Sequence, residues 1–249
     1  MTQKLKNKIC IITGATSGMG KAIAEKFSSE GANIILSGRN AERGSKLATK
    51  LKRSVFLAGD VRDPEYNKAL TAAAISNFGG LDILSINAGI LGLGNVVDLS
   101  IDDWHKTLDT NLSSIFYISK YAIPYLEKNG GNILINASIA AFKSFPNHPA
   151  YCASKAASLA LMKQMAVEYG PKIRVNAMCP GPVETPLLWD SARAFDNPET
   201  AVEKARESTL LKRLGTPEDV AKLALFMVSE DSSWITGTTM TIDGGIINS

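Results

Sequence analysis

Tyr151 and Lys155 are the pair in this chain whose types and spacing bear most directly on chemistry. In the run Tyr151-Cys152-Ala153-Ser154-Lys155, a helix sets a phenol and an ammonium four positions apart on one face. A free tyrosine titrates near pH ~10, and bringing it about three units down to neutrality takes ~4 kcal/mol of preferential stabilisation of the phenolate. One ammonium at ~4 Å, in an effective dielectric constant of about 20, supplies ~4 kcal/mol. The pair is therefore suited to exchanging a proton near neutral pH, with Lys155 drawing the tyrosine down. Alone, the same spacing also describes an ordinary exposed helix pair.

A second chemical feature lies near the start. Lys8-Ile9-Cys10-Ile11-Ile12-Thr13 is a short apolar, β-branched run, followed by Gly14-Ala15-Thr16-Ser17-Gly18-Met19-Gly20 and then the helical pattern Ile23, Ala24, Phe27. This reads as strand, glycine turn and helix. Glycines let a backbone approach a phosphate, and a helix start offers free amides and a partial positive charge. The spacing differs from the dinucleotide fingerprint that places a single residue between the first two glycines, and a glycine turn by itself can be only a tight connection.

Taken together, Thr13 to Gly20, Asn87-Ala88-Gly89, Asn111, Ser138, Tyr151 with Lys155, and Pro180-Gly181 onward through Val183 to Thr185 resemble the short-chain dehydrogenase/reductase family. Ser138 stands thirteen residues before Tyr151, as the family pattern requires, and the resemblance covers essentially the whole chain. Met19 departs mildly from the isoleucine common there. The resemblance implies an NAD(P)-dependent oxidoreductase that interconverts a small secondary alcohol and a ketone by hydride transfer. Tyr151 would exchange the proton with the substrate oxygen, and Ser138 would hold that oxygen. Lys155 would lower the tyrosine pKa and bind the nicotinamide ribose, and Asn111 would hold a water linking the lysine to solvent. The cofactor would lie against Gly14, Thr16, Ser17, Gly18, Met19, Gly20, Arg39, Asp60, Val61, Asn87, Ala88, Gly89, Tyr151, Lys155, Pro180, Gly181, Val183 and Thr185. Asp60 would bind the adenine amino group or, structurally, cap a turn.

Cofactor preference turns on the end of the second strand, Leu36-Ser37-Gly38-Arg39-Asn40. An acidic residue there would accept hydrogen bonds from the ribose hydroxyls and repel a 2′-phosphate, whereas this chain offers a small glycine and then a cation. NADP(H) is therefore preferred, with NAD(H) possible. The second basic residue of some NADP-using members is absent, since Ser17 stands in its place. A 3-oxoacyl-[acyl-carrier-protein] reductase is the main alternative; Lys143 and Arg193 lie near the expected cleft mouth without a dense basic cluster. A nucleotide-binding regulatory protein without turnover is the alternative of a different class.

The elements that must position these residues follow from the pattern of the whole chain. Strands are predicted at 33–37, 54–58, 83–87, 132–136, 173–178 and 238–242, with helical intervals between them. That alternation argues for one α/β domain over residues 1–249, a Rossmann-like doubly wound parallel sheet with helices on both faces. The glycine turn, Asn87, Ser138 and Pro180 all follow strands, so they converge on the carboxyl edge where such sheets bind ligands. Residues 182–215, with Pro186 and Pro198, are the least regular stretch and are expected to form a substrate lid, with Leu187, Leu188 and Trp189 as apolar contacts. Ile90 to Leu93 and Ile139 to Phe142 suggest an apolar pocket. Thr216 and Pro217 start a further helix as N-cap and first helical residue.

At 249 residues, 45% hydrophobic and with a net charge of +3, the chain can bury a large core and carries no strong basic field for nucleic acid. Cys10, Cys152 and Cys179 are odd in number and widely spaced, which suits reduced thiols in the cytoplasm. No apolar run is long enough for a bilayer, so no membrane partner is expected. The two histidines, His105 and His148, form no metal-ligand cluster, and His148 reads as a loop residue. The small and apolar residues around 112–126 and 153–166 can face either the sheet or a symmetry mate, and the family resemblance implies a homotetramer.

Overall fold

The computed structural model describes residues 3–248. Seven strands, β1 (Ile9–Ile12), β2 (Asn33–Gly38), β3 (Ser54–Ala58), β4 (Ile83–Ile86), β5 (Gly131–Asn136), β6 (Ile173–Pro180) and β7 (Thr239–Ile242), form one sheet in the order β3-β2-β1-β4-β5-β6-β7. Every pairing is parallel. Strands covered on both faces are rich in apolar residues, and β1, β2, β4 and β5 are buried throughout, single polar members such as Ser37, Ser85 and Asn132 included.

The helices are α1 (Gly18–Ser29), α2 (Ala41–Lys50), α3 (Pro64–Phe78), α4 (Ile101–Leu108), α5 (Ser114–Asn129), α6 (Pro149–Tyr169), α7 (Pro186–Ala192), α8 (Pro198–Ser208) and α9 (Pro217–Val228). One core packs α3, α5 and α6 on the sheet through Leu70, Ile118 and Met162. The other packs α1, α2 and α9 on the opposite face through Phe27, Leu47 and Ala224. The doubly wound single domain is thus as expected. No helix among the described residues is long and apolar enough to cross a membrane.

Strand order reverses between β1 and β4, and the crevice beyond their carboxyl ends is where such sheets take ligands. Segment 182–215 leaves this edge after β6. Its base is pinned by an isolated parallel bridge between Val183 and Gly215, with Gly215 N–H donating to the Pro182 carbonyl at 2.9 Å and Glu184 N–H to the Gly215 carbonyl at 2.9 Å. The segment is more regular than its sequence suggests, since it holds α7 and α8.

Candidate active site

The glycine turn is built for close backbone approach. Gly14 has φ +64°, and a Cβ there would stand 2.8 Å from the Ala88 nitrogen. A Cβ on Gly20 would stand 2.4 Å from the Gly14 carbonyl oxygen. Thr13 Oγ1 accepts the Asn87 and Ala88 amides at 3.0 and 3.3 Å, locking the turn after β1 to the turn after β4. At the start of α1, Ser17 makes no side-chain cap and the first turn has no acidic residue. In contrast, Asn40, Asp63 and Thr216 cap their own helices. The α1 terminus keeps its positive end facing the cleft, without a carboxylate of its own.

A cavity of about 960 Å³ spreads from this turn. It brings together Gly14, Thr16, Ser17, Gly18, Met19, Gly20, Arg39, Asp60, Val61, Asn87, Ala88, Gly89 and Thr185, as the sequence led us to expect. Arg43, Gly59 and Thr110 also line it and were not foreseen, and Ile90, read as part of an apolar pocket, lines this cavity instead. Arg43 stands in the first turn of α2, where its backbone N–H donates to the Asn40 cap at 2.8 Å. Its presence was signalled only by its spacing of four from Arg39. The Asp60 carboxylate accepts from Arg62 Nε at 3.0 Å and Nη2 at 2.7 Å, while its other oxygen accepts the Arg62 amide at 3.0 Å. These Arg62 hydrogen bonds hold the Asp60 carboxyl below its ordinary pKa. Asp60 therefore caps its turn, the structural role considered for it. A capless helix start, glycines whose Cβ positions are filled and a rim with three arginines, Arg39, Arg43 and Arg193, fit the phosphates of a dinucleotide.

Tyr151 lies in the first turn of α6, with Lys155 one turn on. Lys155 is only 5% exposed, which excludes the exposed-pair reading. Its Nζ donates to the Asn136 carbonyl at 2.8 Å and lies 5.6 Å from the Tyr151 ring centre. The expected electrostatics require correction. Burial pushes the phenol up to about 12, against a smaller lowering from its hydrogen bond with Ser138. Burial likewise brings the Lys155 ammonium down to about 8. Desolvation penalises both charged forms and outweighs the attraction on which a lowered tyrosine depended.

Ser138 starts the short 3-10 turn Ile139–Ala141, and its Oγ accepts the Ala140 amide at 3.1 Å. Asn111 sits in a π-helical turn, Asp109–Ser113, between α4 and α5, a distortion often found at functional sites. Its Nδ2 donates to the Ile90 carbonyl at 2.9 Å and to Ser154 Oγ at 3.0 Å, and its Oδ1 accepts the Ile90 amide at 2.9 Å. Ser154 in turn donates to the Tyr151 carbonyl at 2.8 Å. The Asn111 side chain thus ties the loop after β4 to the tyrosine helix.

A second cavity, of about 650 Å³, contains Ser138 and Tyr151 and is walled by Leu91, Ile139, Ala140, Phe145 and, from segment 182–215, Leu187, Leu188, Ala192 and Val202. Pro180, Gly181 and Val183, expected beside the cofactor, line this cavity and not the first. Met19, Leu91, Thr185 and Leu187 border both, so the two spaces meet there. Trp189 is 42% exposed and Phe142 56% exposed, and neither forms part of the wall. Both point away because the inward positions of their short helical turns are taken by Leu187 and Leu188 and by Ile139 and Ala140. His148 lies in the loop just before α6, as read from the sequence, but is 3% exposed and lines this cavity. Cys10, Cys152 and Cys179 are free thiols.

A family model described as enoyl-(acyl carrier protein) reductase matches residues 14–247. Cyclohexanol dehydrogenase of Acinetobacter sp. is 35% identical over 98% of this chain and 96% of its own length. The structure of a short-chain dehydrogenase/reductase, glucose/ribitol dehydrogenase, from Brucella melitensis superposes with a TM-score of 0.93 at 33% identity, covering 99% of each chain. Actinorhodin polyketide ketoreductase, solved as an F189W variant with NADPH, gives 0.92 at 27% identity over 97% of this chain and 98% of its own. With a family model matched over nearly its full length and relatives at these identities, the chain is an oxidoreductase of the short-chain dehydrogenase/reductase family.

Proposed function

We propose that this protein is an NADP(H)-preferring oxidoreductase that interconverts an apolar secondary alcohol and its ketone, with Tyr151 as the proton-transfer group. The observation that carries the reading is the junction of the two cavities at Met19, Leu91, Thr185 and Leu187, with Ser138 and Tyr151 on the apolar side and the glycine turn on the other. Bound nicotinamide supplies or accepts the hydride. Ser138 orients the substrate oxygen, and Tyr151, held protonated at neutral pH by burial, donates to a carbonyl oxygen. Lys155, carried on the same helix, is fixed by the Asn136 carbonyl with its Nζ 5.6 Å from the Tyr151 ring centre, and on this reading it would bind the nicotinamide ribose. Three free thiols suit a reducing cytoplasm.

The apolar wall and the relationship to a cyclohexanol dehydrogenase support an alicyclic substrate. Acyl-carrier thioesters are the second reading, supported by the description of the matching family model and by Lys143 at the edge of the cavity. Oxidation of cyclohexanol with NADP⁺, and reduction of cyclohexanone and of an acetoacetyl thioester with NADPH, each followed through nicotinamide absorbance, separate the two. Tyr151→Phe should lose roughly 10²- to 10⁴-fold in turnover while NADPH affinity is kept. Near-wild-type turnover in the folded variant would overturn the role of Tyr151 and leave the family assignment standing.

A further inference from the structure

The residues just before α6 join three walls of the substrate cavity. Asn147 adopts φ +59°, a left-handed conformation that asparagine tolerates. Its carbonyl accepts the Gly94 amide at 3.0 Å, from the loop after β4, and its Nδ2 donates to the Ala194 carbonyl at 3.0 Å, beyond the end of α7. His148 continues the junction. Its carbonyl accepts the Cys152 amide at 2.9 Å, the first backbone bond of the helix that carries Tyr151.

Both imidazole nitrogens are committed. Nδ1 lies 2.6 Å from the Pro146 carbonyl, which can only accept, so Nδ1 carries the proton. Burial pushes the imidazole below its ordinary pKa and favours the neutral ring. Nε2 is then an acceptor, and the Ser191 hydroxyl of α7 donates to it at 2.8 Å. The ring also packs edge-on against Tyr151, with centres 6.3 Å apart and planes at 70°, and against Phe145 at 6.3 Å. One side chain therefore touches the lid and the proton donor together. With neither nitrogen free, it has no proton to exchange with a substrate.

We propose that His148 is a positioning residue which latches α7 over the apolar cavity through Ser191 and sets the Tyr151 ring against it. The proposal rests on the reading that Tyr151 acts on a substrate in that cavity. It assigns substrate affinity to a contact between the lid and the catalytic helix, outside the four residues of the reaction.

The test uses isosteres. Glutamine places its terminal amide near the position of Nε2, whereas asparagine reaches only the position of Nδ1. Amide hydrogen exchange of α7, read by mass spectrometry, should rise roughly fivefold to tenfold in Ser191→Ala and in His148→Asn, the loss of one neutral hydrogen bond. It should stay near wild type in His148→Gln. Ser191→Ala combined with His148→Asn should add nothing to either alone. With cyclohexanone and NADPH, both single variants should raise KM more than they lower kcat, and His148→Gln should restore KM. Unchanged α7 exchange in both single variants, or effects that add fully in the pair, would overturn the latch. The exchange measurement needs no turnover. Raised α7 exchange in Ser191→Ala and His148→Asn but not in His148→Gln, in a protein inactive on every ketone, supports the latch and counts against the functional reading alone.

Discussion

Arg39 and Arg43 stand on the rim of the larger cavity, and among the described residues neither forms an ion pair. A 2′-phosphate brought there meets no carboxylate at Gly38 and a guanidinium able to form charge-assisted hydrogen bonds. Such a bond is worth roughly 1.5 to 3 kcal/mol, so Arg39→Ala should weaken NADPH by about tenfold to a hundredfold while hardly moving NADH. Paired dissociation constants measure this, and tighter NADH binding by the wild type would remove the preference altogether. Lys155 gives a prediction with a definite sign. Its folded pKa of about 8 lies below the ordinary 10.5, so between those values the unfolded chain holds a proton that the folded chain has released. The burial penalty, on the order of 3 kcal/mol, is full below pH 8 and fades as pH rises toward 10.5. Urea unfolding at pH 7.5 and pH 10 should show the wild type gaining about 2 kcal/mol relative to Lys155→Met; a pH-independent difference would sink the assignment of a desolvated ammonium. The spacing of Tyr151 and Lys155 was legible in the sequence, but their protonation was not, because desolvation depends on the walls packed around them. His148 was illegible for the same reason: its partner Ser191 lies 43 residues away and comes close only in the folded chain.

Strands were the most legible elements, because a strand buried on both faces leaves a mainly apolar run, interrupted here by single buried polar residues such as Ser37 and Ser85. The prediction for 54–58 coincides with β3, and the other ends differ from prediction by up to two residues, as hydrogen bonding extends or trims a strand. Segment 182–215 shows where local reading stopped. Thr216 followed by Pro217 was read as a helix start, and α9 carries a full capping box there, with Thr216 accepting the Asp219 amide at 3.2 Å and Asp219 accepting the Thr216 amide at 2.9 Å. A side-chain N-cap followed by proline likewise starts α7 at Thr185-Pro186 and α8 at Asn197-Pro198, within the stretch read as least regular. A proline in the first turn sacrifices no helical hydrogen bond, so the residue before it, able to cap, is the signal that separates a start from a break. The seven residues of α7 and the mostly exposed surface of α8 leave little apolar periodicity to reveal them. The π-turn at Asn111 has no local signature of this kind: the residue that uses the distortion binds Ile90, 21 positions earlier.

At the scale of the whole molecule, the helices that carry the site also present apolar residues outward. On the layer of α5 and α6, Phe116 is 52% exposed and Val167 80% exposed, while Ile118, Leu126, Leu159 and Met162 of the same helices face the sheet. Their sequences had left open which residues faced inward, and the structure now apportions them. Large apolar side chains left on the outer face of a packed layer favour burial against another chain. Closed oligomers of one chain use self-complementary patches, so any residue in such a contact occurs twice across it. The family resemblance implies a homotetramer, and these exposed apolar residues lead us to expect α5 and α6 in one of its contacts. Sedimentation velocity at micromolar concentration should give a species of four chain masses. Phe116→Asp and Val167→Asp together should place charges on both sides of a twofold contact, where each is desolvated and faces its own copy. They should shift the distribution to dimers or monomers without loss of helical circular dichroism. A wild-type protein that sediments only as a monomer would refute the tetramer. A tetramer indifferent to both substitutions would move its contacts to other faces, for which Trp234, 99% exposed between α9 and β7, is the residue to change next.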